Sequence, residues 1–206
     1  MTRGTTTKPA ALILLVVAAI AGCVAARNDH DAIVALTHHI MRGKNPNTDF
    51  DNVRALIQAH SVHRNDDEFN SIMRNRSFAQ EMLKHVTGQR SAPVPMICGV
   101  RAWLMHDLLE EMGYDAMVVH IFDAQTPASH TFVRVLNPET DKWETQDPDI
   151  NIYWIEVRTG TRIAVEDYAP DNLDKVQPCN ARRCGWDVVV KANKLKGLFD
   201  RVTMDD

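Results

Sequence analysis

The chain carries, at residues 93–113, the stretch PVPMICGVRAWLMHDLLEEMG, in which an extended approach leads into a helix. Its two prolines keep the residues before them out of the helical region. Gly113 is a typical helix stop. The pattern places Cys98 at the helix start, where unpaired N–H groups and the helix dipole favour a thiolate. The apolar residues that recur at helical spacing are Ile97, Val100, Leu104 and Leu108.

Length and composition are those of an ordinary globular protein with a sizeable core. The chain has 206 residues, of which 45% are hydrophobic and 24% charged, and this suits one domain or slightly more. The net charge of −4 gives no reason to expect a nucleic-acid partner, because such proteins carry a basic footprint. The histidines and cysteines show no convincing metal-ligand spacing, so we predict no metal and no cofactor.

The N-terminus has the pattern of a secretory signal. Arg3 and Lys8 precede an apolar run at residues 10–21. The tetrad Ile20-Ala21-Gly22-Cys23 that follows resembles a bacterial lipobox, so we expect a lipoprotein with the lipid on Cys23. A cleaved secretory signal and a single-span membrane anchor are the alternatives, because the apolar run continues to residue 26. In each case we expect the domain outside the cytoplasm, in the periplasm or cell envelope.

Three further cysteines lie in the rest of the chain. Cys179 and Cys184 are close together in a turn-rich segment, and an oxidising compartment favours a disulfide between them. The alternatives are two unpaired structural thiols and a metal site. A metal site would need two further ligands, and no histidine or cysteine follows these cysteines in the sequence. A disulfide leaves Cys98 as the odd thiol, which points to chemistry at that residue.

The chain divides into a signal or anchor (residues 1–23), a helical region (28–90) and a core with a helical tail (91–206). Three helices are predicted in the helical region, the third of them starting near residue 67, and we expect them to pack on the core. The tail is predicted to be helical from about residue 188 to 202. After Gly113 the hydrophobic period changes from 3.6 to 2. This change predicts strands at 115–122, 129–136 and 141–146, with further strands at 150–157 and 162–165.

The hairpin formed by the second and third predicted strands supplies two candidate partners for Cys98. A turn at 137–140 pairs Leu136 with Asp141 and thereby sets His130 opposite Asp147. Directly opposed residues have Cβ atoms about 4.5–5.5 Å apart, so the carboxylate can hydrogen-bond the imidazole if this register holds. A cysteine at a helix start, a histidine and an aspartate are the three parts of an activated thiol nucleophile.

Between Cys98 and Tyr153 the chain contains Cys98-Gly99, Arg101-Ala102, Leu108-Leu109, Gly113, HTFVRV at 130–135, Trp143 and DPDIN at 147–151. With these segments in this order, the chain resembles a transglutaminase-like domain of the papain-like cysteine protease and transglutaminase superfamily, of the bacterial cysteine peptidase type. The resemblance implies an α+β fold in which the nucleophile starts a helix packed on an antiparallel sheet. It also implies Cys98 as nucleophile, His130 as general base and acid, and Asp147 as the group that orients the imidazole.

The oxyanion donors and the overall function follow as expectations. The backbone N–H of Cys98 is a natural donor at a helix start, and Gln89 is the nearby glutamine that could add a side-chain donor.

We expect an extracytoplasmic acyl-transfer enzyme (peptidase, amidase or transglutaminase) that acts on amide bonds of a protein or peptide-like substrate. The alternative is a non-enzymatic envelope protein that uses this scaffold as a binding or assembly module in cell-wall or surface-polysaccharide biogenesis.

Overall fold

The computed structural model describes residues 29–168, 170–188 and 192–205. The predicted signal or anchor, including Cys23, lies outside these residues. Helices and an antiparallel sheet combine in the α+β class that the sequence predicts. The helices are α1 (29–37), α2 (Pro46–His60), α3 (Asp67–Asn75), α4 (Phe78–Val86), α5 (Cys98–Glu111) and α6 (Ala192–Leu195). The strands are β1 (Ser61–His63), β2 (Val94–Met96), β3 (Ala116–Phe122), β4 (Ser129–Asn137), β5 (Lys142–Asp147), β6 (Ile152–Glu156), β7 (Val176–Cys179) and β8 (Arg201–Asp205).

The helices before α5 start and stop at residues with clear local signals. α2 begins with Pro46 after Asn45, whose side-chain oxygen accepts the Thr48 N–H at 3.0 Å. The third predicted helix is two helices, because Arg76 adopts a left-handed conformation with φ +48° that a right-handed helix cannot continue through. None of the described helices combines the length and hydrophobicity needed to cross a membrane.

A small parallel sheet connects the helical region to the nucleophile helix. β1 follows α2 directly and pairs with β2, so that His63 lies beside Met96. The predicted helical region therefore contains one strand. Because β2 ends two residues before Cys98, this pairing fixes the approach to α5.

The main sheet has six strands in the order β7-β6-β5-β4-β3-β8, and all neighbouring pairs are antiparallel. The prediction of a helical tail is wrong at its end, where β8 pairs with β3 and places Val202 beside Ile121. Val202 and Thr203 are β-branched and suit a strand, and pairing covers an edge that β3 would otherwise expose. The strand predicted at 162–165 is also wrong, because an isolated bridge at Arg162 leads into a 3-10 turn.

Two hydrophobic cores lie on opposite faces of the main sheet, since alternate residues of β3 and β4 contribute to different cores. The first core joins helices α1–α5 to the sheet, and this agrees with the expectation that the helical region packs on the rest of the protein. The first core includes Leu36, Phe50, Met82, Leu108, Val118 and Val133. The second core includes Val119, Ile121, Phe132, Trp154, Leu195 and Phe199.

Candidate active site

Cys98 is the first residue of α5 and is half-buried. The residue before it, Ile97, has extended backbone angles and an apolar side chain that cannot cap the helix. The first N–H groups of α5 therefore receive no side-chain cap from this position, and they concentrate partial positive charge next to the thiol. This arrangement can hold a negative charge on sulfur or on an oxygen bound beside it.

The first turn of α5 lies against the start of β4. A Cβ atom added at Gly99 would lie 4.0 Å from the hydroxyl oxygen of Thr131, and Thr131 directly follows His130 in the strand. The Cys98 thiol lies close enough to the His130 imidazole to raise the pKa of His130. The helix start and the hairpin therefore lie together in the folded protein. Local sequence patterns cannot predict this contact, because it joins elements that are distant in the chain.

His130 and Asp147 form a buried pair beside Cys98. The His130 Nε2 atom lies 2.7 Å from Oδ2 of Asp147, and the two side chains are 8% and 0% exposed. With Nε2 bonded to the aspartate, Nδ1 is the ring nitrogen left for the thiol. Burial by itself lowers the pKa of His130, but the charge and hydrogen bond of Asp147, followed by those of Cys98, raise this pKa to about 10.

The second oxygen of Asp147 is held by the turn that follows β5. Oδ1 accepts the backbone N–H of Asp149 at 2.9 Å and that of Ile150 at 3.3 Å. Because both carboxylate oxygens are bonded, the carboxylate cannot rotate away from the imidazole. This is the geometry that orients a catalytic histidine and fixes its tautomer.

The predicted contact between His130 and Asp147 is present, but the predicted hairpin register is wrong. β4 runs one residue further, to Asn137, which pairs with Lys142 instead of lying in the turn. Asn137 is 1% exposed, and its amide donates to the Glu144 carboxylate at 2.7 Å. This buried hydrogen bond holds Asn137 in the strand. The shift by two positions keeps every side chain on its predicted face, so the diagonal neighbours His130 and Asp147 still meet.

Arg101 is a buried residue of the site. The sequence predicts no role for it beyond its place in the segments that carry the family resemblance. It follows Cys98 by one helical turn, and its Nη1 atom donates to the backbone oxygen of Asp149 at 2.9 Å and to the Asp149 carboxylate at 3.1 Å. The pair connects α5 to the turn that carries Asp147. The sequence signal that could have indicated this pair is the position of its members. Arg101 lies one helical turn after Cys98, and Asp149 lies two residues after Asp147.

Arg54 of α2 also holds the turn that follows β5. Arg54 is 3% exposed and donates from Nε to the side-chain oxygen of Asn151 at 3.0 Å. Its Nη1 donates to the side chain of Gln146, and its Nη2 donates to Asp51 at 2.9 Å. Gln146 precedes Asp147 and Asn151 ends the turn, so one guanidinium holds both ends of the segment that presents the aspartate.

The structure does not bring Gln89 to this site. Gln89 is exposed and lies after α4, where it lines a surface cavity together with residues of α1 and α4. Arg90, the next residue, pairs with Glu68 and Glu81 and thereby holds this segment against α3 and α4. Among the described residues, no hydrogen bond joins Gln89 to Cys98 or His130. The backbone N–H of Cys98 remains the candidate oxyanion donor.

The other predicted sites concern the remaining cysteines and metal ions. A disulfide joins Cys179, at the end of β7, to Cys184, as the sequence predicts. Cys98 is the free cysteine of the described residues. Over the same residues, no group of three or more histidine, cysteine, aspartate or glutamate side chains is arranged to hold a metal ion. The predicted lipidation site, Cys23, lies outside the described part of the chain.

Comparison with known proteins adds no relative, since no protein-family model, curated protein or solved structure matches this chain. What can be inferred about function therefore comes from the site itself. Its thiol, imidazole and carboxylate stand in the order that nucleophilic catalysis uses.

Proposed function

We propose that the protein is a thiol-dependent enzyme that transfers acyl groups from amide bonds, with Cys98, His130 and Asp147 as its catalytic triad. The observation that carries this proposal is the buried 2.7 Å bond between His130 and Asp147 next to a half-buried thiol at a helix start. An imidazole whose pKa is raised to about 10 is protonated at neutral pH and stabilises a neighbouring thiolate.

The reaction proceeds through a thioester. The Cys98 thiolate attacks the carbonyl carbon of an amide, and the carbonyl oxygen becomes an oxyanion that accepts the Cys98 backbone N–H. The His130 imidazolium then donates its proton to the amide nitrogen, the carbon–nitrogen bond breaks, and an amine leaves. Neutral His130 next takes a proton from water or from a second amine, which attacks the thioester. The sulfur leaves as the thiolate, and His130 is again protonated.

Asp147 does not exchange protons in this scheme. Its carboxylate holds Nε2 of His130 and stabilises the charged ring, so that Nδ1 stays directed at the sulfur. The hydrogen bonds from Asp149 and Ile150 keep the carboxylate in place. We expect the replacement of Asp147 by asparagine to preserve the packing while removing the negative charge.

We further propose that the fold is a papain-like core of the transglutaminase-like type. The support is the resemblance of residues 98–153, together with the packing of α5 on an antiparallel sheet that carries His130 and Asp147 on adjacent strands. The chain order of cysteine, histidine and aspartate agrees with that family. A solved structure of the protein that separated α5 from β4 would contradict this assignment.

An extracytoplasmic location is proposed on the signal-like N-terminus and is supported by the disulfide between Cys179 and Cys184, because oxidising compartments preserve such bonds. We propose that a lipid on Cys23 holds the protein at the membrane. Metabolic labelling with a fatty acid should mark the wild type and not a Cys23→Ala variant. Label that persists in the variant would rule out lipidation at Cys23.

The proposed activity is tested by alkylating the full-length protein with iodoacetamide between about pH 5 and 9 and mapping the adduct by mass spectrometry. We expect selective modification of Cys98 at a pH where an ordinary thiol, with a pKa of about 8.5, is still protonated. His130→Ala and Asp147→Asn should both slow this reaction at low pH. His106→Ala, which alters a histidine elsewhere on α5, is the matched control and should not.

Two outcomes separate the proposal from its alternative. If Cys98 reacts like a free thiol and ignores the replacement of His130, the enzyme proposal fails and a non-enzymatic binding or assembly module becomes the better explanation. If the thiol is activated, incubation of the protein with a peptide library and a labelled primary amine distinguishes the acceptors. Incorporation of the label indicates a transferase, and new peptide termini or free acid indicate hydrolysis.

A further inference from the structure

His63 lies next to the proposed active site without belonging to the triad. It ends β1, where it pairs with Met96 of β2. The backbone N–H of Arg64 donates to the Met96 oxygen at 3.1 Å and prolongs this pairing. Met96 precedes Cys98 by two residues, so His63 is held beside the segment that delivers the nucleophile.

The side chain of His63 reaches to the turn that follows β5. Its Nδ1 atom lies 2.6 Å from Oδ1 of Asp149, the carboxylate oxygen that also accepts Nη1 of Arg101. The Asp149 side chain is 1% exposed, whereas that of His63 is 43% exposed. The imidazole therefore covers the outer side of a buried carboxylate, and Arg101 holds the same carboxylate from the interior.

Asp149 links His63 to the triad. The backbone N–H of Asp149 donates to Oδ1 of Asp147 at 2.9 Å, and Oδ2 of Asp147 lies 2.7 Å from Nε2 of His130. Hydrogen bonds on the side chain and on the backbone of Asp149 thus link His63 to the base through the covalent frame of that residue. A displacement of Asp149 changes the position of the N–H that orients the Asp147 carboxylate.

We propose that His63 is a positioning residue, which acts through Asp149 to keep Asp147 aligned on His130. This inference rests on the proposed function, because alignment of the imidazole matters only if His130 serves the thiol. Arg101 still pairs with Asp149 when His63 is removed, so the turn keeps its buried ion pair and the protein is expected to fold. What is lost is the contact of the imidazole with the outer side of the carboxylate, which restrains outward movement of Asp149.

The test uses three variants of the full-length protein. His63→Ala removes the imidazole, and His63→Asn keeps an N–H donor near the position of Nδ1. His106→Ala is the matched control, since His106 also pairs through Nδ1 with an aspartate, Asp107, at 2.9 Å, but does so within α5 and away from the turn.

The first readout is the low-field proton resonance of the Nε2–H group of His130, which reports the bond to Asp147 without any substrate. We expect this resonance in the wild type, in His63→Asn and in His106→Ala, and we expect it to broaden by solvent exchange in His63→Ala. The second readout is alkylation of Cys98 near pH 6. It should fall by roughly tenfold in His63→Ala, since one hydrogen bond to a charged group contributes about that factor, and recover in His63→Asn.

An unchanged resonance and an unchanged alkylation rate in His63→Ala would overturn the positioning role, as would a loss that His63→Asn does not restore. Failure of the proposed function has a different signature. In that case Cys98 alkylation is insensitive to the removal of His130 itself, while the resonance still shows whether His63 controls the bond between His130 and Asp147.

Discussion

Arg101 and Asp149 form a buried ion pair between two elements that are 48 residues apart in the sequence. The Arg101 guanidinium, which is 2% exposed, binds both the carboxylate and the backbone oxygen of Asp149. Cys98 lies one turn before Arg101 on α5, and Asp147 lies two residues before Asp149. The pair therefore fixes the distance between the proposed nucleophile and the residue that orients its base.

Replacement of Arg101 by methionine should destabilise the protein strongly. It removes the guanidinium from the buried Asp149 carboxylate, and breaking a buried ion pair from one side costs about 3–5 kcal/mol. Urea unfolding measures this loss. Arg64→Met is the matched control, because Arg64 pairs with Glu68 at a surface where both side chains are more than 40% exposed, and such pairs contribute about 0–1 kcal/mol. Equal losses in the two variants would contradict the role of Arg101.

The contribution of the His130–Asp147 pair to stability should depend on pH with a definite sign. The pKa of His130 rises from an ordinary value of 6.5 to about 10 in the folded protein. The stabilisation is therefore complete below about pH 6.5 and is lost as the pH rises through about 10. We expect the difference in unfolding free energy between the wild type and His130→Gln to be larger at pH 6 than at pH 10. Urea titrations across this range that show a constant difference would argue against the raised pKa.

Asp141→Gly should stabilise the hairpin that positions His130 and Asp147. Asp141 has φ +55°, a left-handed conformation that crowds its Cβ against the backbone and that glycine adopts without this crowding. The reverse change at another turn, Gly160→Ala, is the control. A Cβ there meets no atom within 4 Å but φ is +69°, so its cost is backbone strain alone. Thermal unfolding should show opposite shifts, and a lower midpoint for Asp141→Gly would refute the prediction.

Removal of the disulfide should lower stability without altering the reactivity of Cys98. Cys179 and Cys184 are five residues apart in the sequence, and closing so short a loop contributes roughly 2 kcal/mol in the chain-entropy model. The double variant Cys179→Ala/Cys184→Ala should unfold at a lower temperature than the wild type. A reductant should lower the midpoint of the wild type and leave that of the double variant unchanged. A change in Cys98 alkylation in the double variant would connect the disulfide to the site.

The residue pair at the centre of the site could be predicted from the sequence, although its exact pairing could not. Alternation of apolar residues gave the strands and assigned His130 and Asp147 to one face. The sequence predicts Asn137 in the turn because asparagine favours turns by composition, whereas in the structure its buried bond to Glu144 keeps Asn137 in β4. Only the folded protein shows that partner. Shifts by two positions preserve faces, and for this reason the contact was predicted despite the error.

Long-range partners were beyond the reach of local patterns. The pairing of Arg101 with Asp149 and of His63 with the same carboxylate depends on the docking of α5 and β1 on the main sheet. The proposal of Gln89 as a donor failed for the same reason, since proximity in sequence to Cys98 says nothing about the direction of the chain after α4. The break between α3 and α4 depends on Arg76, a residue other than glycine in a left-handed conformation. The amino-acid composition of this segment does not indicate such a conformation.

β4 contributes to the cores on both faces of the main sheet: Val133 packs with the helices, and Phe132 packs with the opposite core. His130 belongs to this shared strand, so a local opening on either face disturbs its position relative to Cys98. We therefore expect the site to unfold only together with the two cores. Loss of the low-pH reactivity of Cys98 should therefore coincide with global unfolding along a denaturant titration, and amide exchange in β4 should be among the slowest in the protein.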